Sequence, residues 1–414
     1  MSLDLQVRWF SVGFMGSNVD VAQSLVQFQG KDNNLHIHRM ERNELLSLNR
    51  LYRDDYLPLV YDLENNAGNE VQEQIYAHLY CTGACSLFSN LQFQKSLSLE
   101  EVVTQVLNLQ KEFNLPEKLY PYFKTLQDNC VCLVSGKDLE LRREFMQVGS
   151  RHIIITIKMP EDEDPAQFIK DHQSELFKLL TLKSTSNLDF HEDRLLKIEK
   201  GVLYSDVVGT LVCISGNLEP QYEASLVITI EMAILEYMLI VGYNYLIENS
   251  FKDINALFRK FQQDPEKIEV QFTRNLSKFN VVRGEIATII DDIDDFRLRI
   301  PSNALIDVHD KLGEIWKVKR VQETLKEKTS EFNDVIDVSY SAFSILSDRE
   351  SQEKQDIANL ILFVIGIISG LQVIIGFFTA DLLTLAIGSF VLLASFMIYG
   401  LWRIIKFTRW SKKK

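Results

Sequence analysis

Four carboxylates stand within five consecutive positions of the chain, Asp291, Asp292, Asp294 and Asp295, in the stretch IIDDIDDF. Hard cations take oxygen ligands and keep part of their water shell, so carboxylates this dense suit a hydrated Mg²⁺ or Ca²⁺ held between subunits. A solvated helix face is the other reading of the same residues. His36 and His38 alternate on a strand-like run, which places both imidazoles on one face as a candidate metal pair. The five cysteines are Cys81, Cys85, Cys130, Cys132 and Cys213. No two pairs among them have zinc spacing, and they read as small buried core thiols. The sequence has no Gly-x-Gly-x-x-Gly, no Gly-x-x-x-x-Gly-Lys-Ser/Thr and no His-Glu-x-x-His. An enzyme has no constellation to stand on here, and no organic cofactor is evident.

A fifth acid stands out by its surroundings. Asp381 is the single charge between Ile357 and Trp402. Before it, Ile357–Phe378 runs 22 residues without a charge, and after it Leu382–Trp402 runs 21 more. As a helix each run rises roughly 30 Å, the thickness of a bilayer core. Thr379, Ala380 and Asp381 alone lie between them, so two spanning helices would form a tight antiparallel hairpin with Asp381 at its far turn. Arg403, Lys406, Arg409, Lys412, Lys413 and Lys414 follow with no acid among them. Cations near span ends are retained on the cytoplasmic side. Both termini are therefore expected in the cytoplasm, with Trp402 and Trp410 at the interface and the lipid bilayer as a partner. Met1–Phe14 has no continuous apolar core, so no signal peptide is expected.

Elements must position these residues. Formal net charge over the 414 residues is −13, and the basic tail makes the remainder more acidic still, which argues against a nucleic-acid surface. Residues 1–220 read as a cytosolic α/β domain. Its strand-like runs are Leu5–Phe14, Leu35–Met40, Asn129–Val134, His152–Met159 and Val202–Ser215. Helix-like stretches lie over Leu97–Phe113, with Ser98 as a cap, and over Pro165–Leu182. A helical section occupies 221–300. Its apolar run Ala224–Ile247 imitates a span, but Glu231 and Glu236 near the centre would each cost a few kcal/mol in lipid, and a buried helix is expected.

Residues 301–356 read as a stalk helix. Leu305, Val308, Leu312 and Ile315 are spaced 3-4-3, and the stripe slips by three before resuming at Val318, Val321, Leu325, Phe332, Val335, Ala342 and Leu346. This is a coiled-coil seam with one phase shift. No proline follows Pro301, so an unbroken helix is expected from about 302 to 378, the alternative being helices folded against the local domain. The first span, 357–378, carries Asn359, Gly366, Ser369, Gln372 and Gly376 in steps of seven, three, three and four, one helical face. Such a face packs against another helix or lines water. The loop is 379–381, the second span 382–402 and the basic tail 403–414.

An α/β cytosolic domain, a helical section, a very long stalk helix continuing into the first transmembrane span, a tight loop and a second transmembrane helix together resemble the CorA family of divalent-cation channels. The likeness covers roughly residues 250–414. Gly376-Phe377-Phe378 stands where that family has Gly-Met-Asn: the glycine matches, and Phe378 replaces the asparagine. Asp381 corresponds to the acidic loop residue. The resemblance implies a homopentamer in the inner membrane, gated through its cytosolic domain. Its pore would be lined by Asn359, Gly366, Ser369, Gln372, Gly376, Phe378 and Asp381, with Mg²⁺ or another divalent cation held between cytosolic domains. The large N-terminal region also resembles CorA-like members associated with CRISPR defence. These are gated by a nucleotide second messenger, which implies a ligand-gated effector that permeabilises the membrane. A membrane-anchored scaffold without a pore is the third expectation.

The topology is testable directly. A cysteine placed at Ala380 should react with an impermeant thiol reagent added outside cells, and one at Ser411 should not. Labelling at Ser411 would contradict the hairpin.

Overall fold

In a computed structural model, the described residues are 4–14, 23–24, 36–46, 57–67, 71–93, 97–112, 115–129, 152–183, 190–263, 280, 284, 287, 296–379, 390 and 394. The chain divides into two compact units, Met1–Asn333 and Asp334–Lys414. A mixed α/β sheet domain comes first and helices follow.

The first unit is built on one nine-stranded sheet. Its strands are β1 (Asp4–Phe14), β2 (His36–Arg39), β3 (Leu59–Ala67), β4 (Val71–Leu79), β5 (Ala84–Phe93), β6 (His152–Met159), β7 (Leu195–Ile198), β8 (Gly201–Asp206) and β9 (Gly209–Ser215). They lie in the order β2-β3-β4-β5-β1-β6-β9-β8-β7. Neighbours are antiparallel except β6 and β9, where Ile155 lies opposite Leu211 in parallel register. The strands expected near the start, at His152–Met159 and over Val202–Ser215 are present, the last as the β8–β9 hairpin. Strands β3, β4 and β5 were not legible in the sequence. The expected run Asn129–Val134 falls outside the described residues but for Asn129, which ends a helix.

Alternation assigns each strand residue to a face. Leu5, Val7 and Trp9 of β1, Ile75, Ala77 and Leu79 of β4, and Ile153, Ile155 and Ile157 of β6 belong to one apolar core. Residues of β3, β5, β8 and β9 join it, and the helices α1 (Leu99–Glu112), α2 (Leu115–Asn129), α3 (Pro165–Asp171) and α4 (Gln173–Thr181) cover it. Ser98 caps α1 as expected: its hydroxyl accepts from the Glu101 N–H at 3.3 Å, and its own N–H donates to Glu101 Oε2 at 2.7 Å. The single helix expected over Pro165–Leu182 is two helices joined at His172. Asp164 accepts from the Ala166 N–H at the start of α3, with Pro165 at the first helical position. On β1, a Cβ at Gly13 would sit 2.2 Å from the Phe123 ring, so only glycine lets α2 approach this closely.

The opposite face carries the long helix α5 (Pro220–Gln263) and the short helix α6 (Ile306–Ile315). The chain does not run as one helix from about 302. Ser302 caps a short 3-10 turn, α6 follows, and Lys317 adopts φ 57° before α7 (Val318–Thr379) begins. The three-residue slip of the apolar stripe, read as a coiled-coil phase shift, marks this break between helices. The seam of α7 within the first unit is covered by the chain itself. Phe251 of α5 meets Phe332 edge-on at 5.4 Å, and Lys328, the polar gap in the stripe, pairs with Glu248.

Phe332 is fully buried. Its replacement by Asp strands a charge against Phe251 and should cost several kcal/mol, on the order of 3–5, in urea unfolding of the protein. An unfolding midpoint equal to wild type would show that this seam does not close within the chain.

Candidate functional site

Two apolar helices carry the site, and they differ in how they are covered. Helix α5 is long and apolar enough over Pro220–Asp253 to cross a membrane, with a mean hydropathy of 2.0, yet 72% of its most apolar window is buried inside the protein. The two acids within its apolar run Ala224–Ile247 both lie against histidines. Glu231, with no exposed surface, accepts the Tyr80 hydroxyl at 2.7 Å and lies 2.8 Å from His78 Nδ1. Cys85 shares this pocket of the core, and burial pushes its thiol up, which keeps it an inert thiol. Glu236 faces His309 of α6 at 3.3 Å. Glu231 thus ties α5 to the sheet, Glu236 sits beside His309 of α6 without closing a hydrogen bond, and the expectation of a buried helix agrees with this geometry.

The second unit begins at Asp334 and contains the remainder of α7. There the apolar side chains are open. Ile357, Leu360, Ile361, Phe363, Val364 and Ile367 are between 47% and 66% exposed. At 100° per residue they cover a continuous arc of roughly 160°. Asn359 is exposed on the remaining arc, and a Cβ at Gly366 would meet nothing within 4 Å. Ser369, Gln372, Gly376 and Phe378 lie on the same unbroken helix, whose backbone keeps Asn359, Gly366, Ser369, Gln372 and Gly376 within one arc. Asp381, the second span and the basic tail fall outside the described residues, apart from Phe390 and Ala394. So do Asp291, Asp292, Asp294 and Asp295.

Sequence reading missed the polar wiring behind the break at Lys317. Trp316 ends α6, and its indole N–H donates to Ser205 Oγ and to the Asp206 carbonyl, each at 3.1 Å. Ser205 Oγ lies 2.9 Å from Thr210 Oγ1, which lies 2.9 Å from His152 Nε2. His152 Nδ1 is 3.3 Å from the Val207 carbonyl. One assignment satisfies every group. Trp316 donates to Ser205, Ser205 to Thr210, Thr210 to His152 Nε2, and His152 Nδ1–H to Val207. The chain runs only with a neutral imidazole, and burial lowers His152 to about 3. The β8–β9 hairpin is thereby joined to the α6–α7 junction.

Beside that junction lies a pocket of about 660 Å³ lined by Glu236, Arg297, His309, Asp310, Gly313, Glu314 and the start of α7. No group of three or more His, Cys, Asp or Glu residues placed to hold a metal occurs among the described residues. His38 is exposed on β2.

No protein-family model and no curated protein matches the chain. Among solved structures, the soluble domain of CorA from Methanocaldococcus jannaschii is similar at 14% identity and a TM-score of 0.22, covering 46% of this chain and 87% of that one.

The His152 relay predicts a pH effect. Its folded pKa lies below the unfolded value of about 6.5, so its contribution to stability is complete above pH 6.5 and lost as pH falls toward 3. Between pH 6.5 and 5 the wild type should lose up to about 1.4 kcal/mol per pH unit more than His152→Gln, measured by urea unfolding. Equal slopes would contradict a neutral buried imidazole.

Proposed function

We propose that the chain is a homo-oligomeric, CorA-like membrane channel or transporter for divalent cations, gated through its cytosolic sheet domain. One observation supports this above all: the Ile357–Ile367 helix exposes a wide apolar arc, whereas α5, equally apolar, is covered. Apolar surface left in water costs about 25 cal/mol per Å². Lipid removes that cost around the arc, and neighbouring copies of the same helix cover the small-residue side.

In a ring of five first spans, Asn359, Gly366, Ser369, Gln372 and Gly376 face a central path. Gln372 and Asn359 supply hydrogen bonds to a hydrated ion, and the glycines admit close approach of neighbouring helices. Phe378 narrows the outer end with a hydrophobic ring that gates by dewetting. Five Asp381 carboxylates gather at the mouth, lower the potential there and raise the local cation concentration. The quartet Asp291, Asp292, Asp294 and Asp295 serves as the regulatory cation site between subunits. Helix α7, continuous from Val318 to Thr379, transmits the state of the sheet domain. The ligand-gated effector is the second reading, favoured by the pocket at the α6–α7 junction. It differs in what opens the pore.

Liposome flux tests the reading. Asp381→Asn should lower cation flux most at low salt, because the Debye length is only about 8 Å at physiological ionic strength. Asp381→Lys should lower it further, and Phe378→Ala should leak. Wild-type flux in all three variants would remove the pore.

A further inference from the structure

The pocket at the α6–α7 junction is lined by four cationic and three acidic side chains. Arg297 is paired with Asp310, Nη2 to Oδ2 at 3.0 Å, and Glu314 is paired with Lys311. Glu236 is opposite His309. Lys317, Lys319 and Arg320 line the same pocket and have no ion pair among the described residues. They surround the first turn of α7, which contains no acidic side chain. Lys317 occupies the position before that helix and offers no side-chain oxygen to its first N–H groups. The positive end of the helix dipole and three cations with no ion pair among the described residues therefore converge on one cavity.

His309 points the same way. It is 6% exposed and lines the cavity, and neither ring nitrogen closes a hydrogen bond. Nε2 is 3.3 Å from Glu236 Oε2 and Nδ1 3.6 Å from Asp310 Oδ1. A buried polar ring held short of its neighbours, at the wall of a cavity, keeps hydrogen-bonding capacity that a ligand in the cavity can use. The cavity volume lies in the range that small-molecule sites occupy, roughly 300–1,000 Å³. Lys317 itself holds a left-handed conformation, φ 57°, which glycine usually occupies at a helix end.

We infer that this pocket binds a small soluble phosphate compound, its phosphate on the α7 N-terminus between Lys317, Lys319 and Arg320, its polar body toward His309 and Glu236. Binding does not depend on the proposed pore; only an effect on gating would rest on it.

Pyrophosphate is the probe, titrated calorimetrically into the detergent-solubilised full chain in metal-free buffer of fixed ionic strength. The expected result is saturable binding at one site per chain. Lys317→Gly with Arg320→Gln should weaken it about a hundredfold, roughly tenfold for each cation removed. Because glycine suits the left-handed position, Lys317→Gly alone should melt no lower than wild type while binding more weakly, which separates lost binding from lost folding. Lys317→Arg should bind like wild type. No saturable heat, or equal affinity in the double variant, overturns the site. Displacement of pyrophosphate by phosphatidylglycerol but not by phosphatidylcholine, each added as mixed micelles in the same detergent, overturns the soluble source, since a lipid headgroup would then be the occupant.

Discussion

Helix α5 is as apolar as a membrane span and carries two glutamates near its middle, so it can be covered only by a surface that also supplies polar partners. The sheet meets that demand through alternation. One set of strand residues builds the apolar core beneath α1–α4, and the other set turns His78 and Tyr80 toward Glu231. An unpartnered buried carboxylate would cost several kcal/mol. Pinning Glu231 therefore fixes the rotation and height of α5 on the sheet. With α5 so placed, Glu236 meets His309 of α6, and Phe251 meets Phe332 at the start of α7.

The α6–α7 junction inherits its position from that arrangement. Trp316 is anchored to the β8–β9 hairpin through Ser205 and Asp206, and the buried relay to His152 leaves none of its own four side chains unsatisfied when the imidazole is neutral. A change at the pocket that moved Lys317 would act on both Trp316 and the first turn of α7. Under the proposed function, this is the point where the state of the sheet domain enters the helix that reaches the membrane.

The parts of this fold that sequence made legible are those with strong apolar periodicity. His152–Met159 is nearly all apolar and reads as a buried strand, and Ser98 with Glu101 announces the start of α1. Strand β4 was invisible because its second face is Gln72, Gln74, Tyr76 and His78, so VQEQIYAHL reads as a polar mixture. Its hidden logic is that this face buries His78 against Glu231, visible only once α5 lies opposite. The stalk shows the reverse error. A stripe slipping by three residues fits a continuous coiled coil and a helix break equally well, and no glycine or proline marks Lys317. Of the candidate site, the small-residue face from Asn359 to Gly376 was legible as a helical stripe. The pocket was not, because Arg297, His309, Lys317 and Arg320 meet only through the packing of α5, α6 and α7.

The central claim is that exposed apolar surface on Ile357–Ile367 is covered by lipid and by copies of the same helix around a path for cations. Single-particle imaging of the detergent-solubilised full chain tests it most directly. The account predicts a closed ring, five-fold in the CorA-like reading, with the Ile357–Phe378 helices innermost and Gln372 facing the axis. A monomer, or an assembly in which these helices enclose no central path, would contradict it.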